Sequence, residues 1–323
     1  MRHKHLYIYY ILSVVLLCPD FYPALAKAPI TAKIVFASGR DGNREIYLMN
    51  PDGTQQVNIS RNKADDVAPI WSPTGEQILF ASDRDRFLGS WDLYLMDPDG
   101  KNVRSVFEKS ADRRHPVWSF DGRHIAYTKI ERGEWFVYIA TMDGREEEEV
   151  AIGSLSDWSP DGAEITFLSG AFDEPRRISL LKVRSRKQTF LPFPKVPMWV
   201  RSPVWSPNGE KIAFAWRPEG FEVETIYIMN RDGTEVQQIV APQGSSAGEP
   251  AWSPVGNALL YIHADDGDDT QIFKIDLESN ETIQLTHIGT GHHLGSWFDP
   301  AYALPVSPQP QLLTTLWGNL KKK

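Results

Sequence analysis

The sequence predicts an all-β fold, a six-bladed β-propeller of four-stranded antiparallel blades. Three observations predict it: a tryptophan motif that recurs along the chain, strand-like runs at fixed places beside each copy, and a repeat length that divides the chain into six. The motif reads Trp71-Ser72-Pro73-Thr74-Gly75, Trp118-Ser119-Phe120-Asp121-Gly122, Trp158-Ser159-Pro160-Asp161-Gly162, Trp205-Ser206-Pro207-Asn208-Gly209 and Trp252-Ser253-Pro254-Val255-Gly256, with a worn sixth copy at Trp297-Phe298-Asp299-Pro300. Successive tryptophans lie 47, 40, 47, 47 and 45 residues apart. Self-similarity at such a period marks a repeat architecture.

The strand runs follow in order. After each motif comes an apolar run, from Ile78-Leu79-Phe80 to Leu259-Leu260-Tyr261, and Ile34-Val35-Phe36 precedes the first motif. A second run follows, as in Ile46-Tyr47-Leu48-Met49 and Ile226-Tyr227-Ile228-Met229. These runs are β-branched and aromatic, short, and bounded by turn formers, which is the signature of strands. Asn50-Pro51-Asp52-Gly53, Asp97-Pro98-Asp99-Gly100 and Asn230-Arg231-Asp232-Gly233 then fit turns closing on a glycine in the left-handed region. A weaker fourth strand follows each turn, as in residues 56–60. Four strands in about 45 residues, six times over, make six blades. Blade one lacks an inner strand of its own, and residues 294–300 are the natural supplier, joining the chain's end to its beginning and leaving no open edge at the seam.

Asp41-Gly42-Asn43-Arg44-Glu45-Ile46-Tyr47-Leu48-Met49, with the W-S-P-D-G copies, resembles the repeat of the TolB-like six-bladed β-propeller family. The resemblance covers nearly all of residues 33–300. It implies the propeller fold, and only residues 27–32 separate the first blade from the N-terminal leader, so the α/β domain that precedes the propeller in that family is not expected.

The ends fall outside the repeat. Arg2 and Lys4 precede an apolar run from Leu6 to Leu17, and Ala24-Leu25-Ala26 matches the small-x-small pattern of signal cleavage. At 1.5 Å per residue that run is too short for a hydrocarbon core of about 30 Å. Residues 1–26 therefore read as a signal peptide, 27–300 as the propeller, and 301–323 as a proline-rich tail whose last half, with Leu312, Leu313, Leu316, Trp317 and Leu320, has amphipathic spacing. The protein is expected outside the cytoplasm, periplasmic or at the cell surface. Cys18 is the single cysteine and lies in the leader without the small residue a lipid-attachment site needs before it, so a mature chain has neither disulfide nor thiolate chemistry. The net charge of −8, from 34 Lys and Arg against 42 Asp and Glu, argues against nucleic acid as a partner.

The tryptophans, fixed in every repeat, read as wedges between blades. The segments just before them vary, and if the first strand of each blade lines the channel they gather at one mouth. Asp66, Arg114, His115, Trp199, Arg201, Glu249, His292 and His293 are therefore the candidate partner-binding residues, since loops and edges of a rigid scaffold carry recognition. His287, His292 and His293 could begin a metal site but lack a fourth ligand at diagnostic spacing. Asp265, Asp266, Asp268 and Asp269 offer hard oxygens for Ca2+ without the spacing of a known calcium loop. No cofactor is expected. Gly244-Ser245-Ser246-Ala247-Gly248 matches the nucleophile elbow by letter, but the elbow needs a helix after its serine and the next blade begins there instead. The expected function is an exported, monomeric, non-catalytic scaffold recognising a protein, peptide or glycan. The alternative is an enzyme on the same scaffold, a polysaccharide lyase or hydrolase with histidine or a metal at the channel mouth.

Overall fold

The computed structural model describes residues 28–305 apart from 86–89, 171–175, 194–198, 242–243, 265–268 and 290. The leader at 1–26, most of the tail, and Asp265, Asp266 and Asp268 of the acidic loop lie outside the described residues. Among those described there is no helix, and six four-stranded antiparallel sheets account for every strand. Blade 1 is the composite one. Its inner strand, His293–Phe298, pairs with Lys33–Ser38, followed outward by Glu45–Met49 and Val57–Asn58. The inner strands of blades 2 to 6 are Asp66–Trp71, Asp112–Trp118, Ser154–Trp158, Trp199–Trp205 and Ala247–Trp252. Each inner strand contacts its two neighbours, and His293–Phe298 touches both the first and the last of these, so the ring is closed.

The repeated residues explain why each blade forms. The motif serine turns its hydroxyl back on the chain and accepts from the backbone N–H five residues on: Ser119 from His124 at 2.9 Å, Ser206 from Lys211 at 2.9 Å and Ser253 from Ala258 at 3.0 Å. The motif glycine donates to that serine's carbonyl, as Gly209 does to Ser206 at 2.8 Å. This closes the turn between the first and second strands. The apolar runs that follow are buried on both faces, with Ile78 to Ser82 and Asp92 to Met96 almost wholly enclosed, because each sheet is sandwiched between two others.

The core is six clusters, one for each blade-to-blade interface, and each holds one motif tryptophan. Trp205 packs with Ile212, Phe214, Tyr227 and Met229 of its own blade and with Leu168, Ile178, Leu180 and Leu191 of the blade before it. Trp71, Trp118, Trp158, Trp252 and Trp297 repeat that placement at the other five interfaces. At the seam the fit leaves no room for a side chain: a Cβ on Gly295 would lie 2.1 Å from the Pro69 carbonyl oxygen and 2.6 Å from that of Val35. Next to it, Phe298 stacks at 5.3 Å on Trp71 and fills the space where a Cβ on Gly75 would stand. Past the closing strand, the Leu304 N–H donates to the Pro73 carbonyl at 3.0 Å.

Two stability predictions follow from this packing. Trp205→Ala is expected to cost about 3–5 kcal/mol in chemical denaturation, as large-to-small changes in a core do; a loss below about 1 kcal/mol would contradict the wedge. Deleting residues 294–300 removes the inner strand of blade 1 and is expected to abolish the single cooperative melting transition, whereas a truncated chain melting like the intact one would show that the ring does not depend on its seam.

Candidate binding site at the channel mouth

The inner strands carry a shared irregularity that builds the site. In blade 2, Val67 pairs with Ala81 but Ile70 with Leu79, so one extra residue is inserted three positions before the tryptophan. Blades 3, 5 and 6 shift register in the same way, and blade 4 and the closing strand do so one residue later. In four blades the inserted residue precedes a proline and takes a left-handed backbone: Ala68, His115, Ser202 and Glu249, with φ of 49°, 51°, 48° and 50°. Non-glycine residues seldom adopt that region, and a β-bulge of this kind re-aims a side chain. All four line one cavity of about 430 Å3 on the propeller axis, together with Arg44, Trp91, Arg114, His293 and Gly295.

The cavity is polar at its centre. The Glu249 carboxylate spans the seam: Oε1 meets His293 Nδ1 at 2.9 Å and Oε2 accepts from the Leu294 N–H at 2.9 Å. This hydrogen bond raises the pKa of His293 above that of a free imidazole, with burial and Arg44 opposing. His115 lines the same cavity, and loss of hydration among the surrounding strands, aided by the Arg114 charge, lowers its pKa. Two imidazoles in one cavity are thus pushed in opposite directions. Arg114 is held in a fork by Asp112 at 2.8 and 3.0 Å. Deeper in the wall, Asp157 accepts from the N–H groups of Trp158 and Trp205, at 2.8 and 2.7 Å, and loss of hydration pushes its carboxyl up to about 7.

A side pocket of about 240 Å3 opens over blades 5 and 6, lined by Trp199, Arg201, Arg217, Glu224 and Ser246. Trp199 is 51% exposed. Arg217 stands 5.9 Å from its ring, and Arg201 Nε is 3.4 Å from Glu224. Burial raises the Glu224 pKa, while Arg201 and Arg217 hold it down.

Of the residues singled out from sequence, Arg114, His115, Glu249 and His293 meet in the central cavity, and Trp199 and Arg201 meet in the side pocket. Asp66 and His292 lie within the wall and not on its surface. The Asp66 carboxylate is fully buried against Arg84 at 3.0 Å and Asn62 at 2.6 Å. His292 is likewise fully buried, edge-on to Phe36, and burial drives its pKa down to about 4. Adjacent residues of an extended chain point to opposite sides, which is why His293 enters the cavity and His292 leaves it. His287 is exposed and apart from both. No three His, Cys, Asp or Glu side chains converge among the described residues. Ser246 of the elbow-like string precedes the strand Ala247–Trp252, not a helix. Arg44, Trp91, Ser202, Arg217 and Glu224 were missed by the sequence reading. The x-Pro-x-Trp spacing in Ala68-Pro69, His115-Pro116, Ser202-Pro203 and Glu249-Pro250 was the available signal for the bulge.

Residues 154–301, which are blades 4 to 6 and the closing strand, match the model of the TolB β-propeller domain. Blades 4 to 6 thus match that domain, and the chain as a whole is a six-bladed propeller closed by a C-terminal strand. The Tol-Pal system protein TolB of Geobacter sulfurreducens is 38% identical over 52 residues, covering 16% of this chain and 12% of that protein. TolB from Acinetobacter baumannii superposes with a TM-score of 0.69 at 18% identity, covering 83% of this chain and 66% of that one. A putative TolB from Agrobacterium tumefaciens gives 0.64 at 20%, covering 83% and 94%. The aligned stretch is thus about an eighth of the length of the Geobacter relative, and at these identities the solved structures show a shared fold.

The desolvated Asp157 carboxyl makes a pH prediction. The Asp157 pKa in the fold, about 7, exceeds the unfolded value of about 3.9, so the native state holds the extra proton and Asp157 lowers stability as pH rises from about 4 to 7. Asp157→Asn removes that slope. Its stability relative to wild type is expected to rise across this window by up to about 1.4 kcal/mol per pH unit, measured by denaturant unfolding at pH 4, 5.5 and 7; a difference independent of pH would refute it.

Proposed function

We propose that this protein is an exported, non-catalytic binding scaffold that recognises a protein, peptide or glycan partner through the channel mouth. The observation that carries the reading is the contrast between framework and mouth. Serine, glycine and tryptophan recur from blade to blade, while the bulge positions of blades 2, 3, 5 and 6 hold four different residues, Ala68, His115, Ser202 and Glu249. The fold spends a left-handed backbone at each of these positions to present them to one polar cavity, and such strain collects where a surface has work beyond folding. The similarity to TolB of the Tol-Pal system supports a protein partner. The leader at 1–26 supports export, and no helix among the described residues is long and apolar enough to cross a membrane.

A second reading rests on one observation. His115 and His293 share the cavity with Glu249 and are displaced in opposite directions, an arrangement that suits acid and base roles in a polysaccharide lyase or hydrolase. Turnover of an oligosaccharide that disappears in His115→Ala would favour it.

The scaffold reading is tested by capture from envelope extract with the mature chain. Trp199→Ala combined with Arg201→Ala, two residue types that dominate measured hot spots, is expected to weaken the captured partner by about 2 kcal/mol, roughly thirtyfold, with the melting temperature nearly unchanged. Undiminished capture by that double variant would place recognition elsewhere.

A further inference from the structure

Six of the eleven tryptophans are the blade wedges. Trp216 packs beside Phe193 and Tyr227 in the core between blades 4 and 5, and Trp317 falls outside the described residues. The remaining three, Trp91, Trp135 and Trp199, belong to blades 2, 3 and 5, where the repeat requires no tryptophan, and all three stand at the channel mouth. Trp91 lines the central cavity with Arg114. Trp135 lies 6.0 Å from the His115 ring, with the Arg176 guanidinium 5.1 Å above it. Trp199 is exposed in the side pocket with Arg217 at 5.9 Å and Arg201 alongside. Trp135 and Trp199 thus each have a guanidinium against the ring, and Trp91, half-buried against the core between blades 2 and 3, shares its cavity with Arg114, in a protein whose net charge is −8.

We infer that this arc of indoles and guanidiniums binds an acidic polysaccharide, a chain of pyranose uronates. The inference rests on the channel-mouth reading above and names the chemistry of what is bound there. A pyranose uronate presents an apolar C–H face and, at the edge of the same ring, a carboxylate. An indole supplies a broad, rigid platform for the face, and a neighbouring guanidinium forks onto the carboxylate. An acidic peptide would need the guanidiniums but not three platforms beside them. Single-stranded nucleic acid also uses platforms, yet its dense phosphates call for a continuous cationic track. Here the arginines are half-neutralised: Arg114 is forked on Asp112, and Arg201 faces Glu224. That leaves directional donors for hydroxyls and one carboxylate per sugar. Ser202 in the cavity and Ser246 in the side pocket add hydroxyl partners.

The test is titration calorimetry of the mature protein with hexamers of galacturonate and of mannuronate, the methyl-esterified galacturonate hexamer, poly-glutamate and a single-stranded oligonucleotide. At least one uronate hexamer is expected to bind. Trp199→Ala and Arg217→Ala should each weaken it at least tenfold while leaving the melting temperature unchanged, and methyl esterification should weaken the galacturonate hexamer likewise if that is the hexamer bound. The inference is overturned if neither hexamer binds, if the esterified hexamer binds as tightly as its acid form, or if poly-glutamate or the oligonucleotide binds as tightly and Trp199→Ala leaves that binding intact. The outcome is separable from the scaffold reading: loss of hexamer binding with envelope capture still sensitive to the Trp199 and Arg201 double variant rejects the glycan alone, whereas capture insensitive to that variant rejects the broader reading.

Discussion

Everything in this molecule depends on the pairing of His293–Phe298 with Lys33–Ser38. A propeller blade has an apolar sheet face on either side, and every one of the six core clusters draws on two neighbouring blades. An open ring would expose two such faces and a strand edge together. The closing strand prevents this by adding its own wedge, Trp297, on one side and by stacking Phe298 on Trp71 on the other. The clearance is so small at Gly295 that only a bare backbone passes between Pro69 and Val35. Residues more than 250 positions apart are thereby fixed against one another, and the channel acquires a definite width.

That closure also assembles the site. Glu249 belongs to blade 6 and His293 to the strand that completes blade 1, so their hydrogen bond exists only once the ring is shut. The second Glu249 oxygen holds the Leu294 N–H, and the seam is pinned at the point where the cavity begins. The bulge then sets what the cavity shows. The inserted residue that opens each x-Pro-x-Trp turns one side chain toward the axis in blades 2, 3, 5 and 6, without disturbing the ladder that the tryptophan and its serine lock below it. Blade geometry and binding chemistry are in this way assigned to different positions of one repeat, and the second can vary while the first stays constant.

Charge is distributed along the same division. The buried carboxylates are absorbed by the framework: Asp66 by Arg84, and Asp92 by Arg113, whose guanidinium lies 3.7 Å over the Phe107 ring. At the mouth the pairs are looser, with Arg201 66% exposed beside Glu224. A pair left half in water keeps donors and acceptors available to a ligand at little cost, whereas a fully buried pair is committed to the fold.

The fold was legible in the sequence because its determinants are local and repeated. Trp-Ser-Pro-x-Gly closes a turn through contacts within five residues, the flanking runs have strand character wherever they are placed, and counting both shows that blade 1 lacks a strand which the chain's end must supply. The candidate site was legible only in part. Variable residues before each tryptophan could be found by contrast with the constant ones, and Arg114, His115, Trp199, Arg201, Glu249 and His293 do reach the mouth. Alternation and the bulge decided the remainder: Asp66 and His292 turn into the wall, although nothing in their own neighbourhood of sequence separates them from His293 or Glu249. Arg44, Arg217 and Glu224 join the mouth from second and third strands and their connections, which no pattern before a tryptophan could indicate. Local pattern thus determined the six blades and their closure, while the direction each side chain faces, and which distant residues share a cavity, was decided by register and ring closure, because both depend on contacts between blades that no single repeat contains.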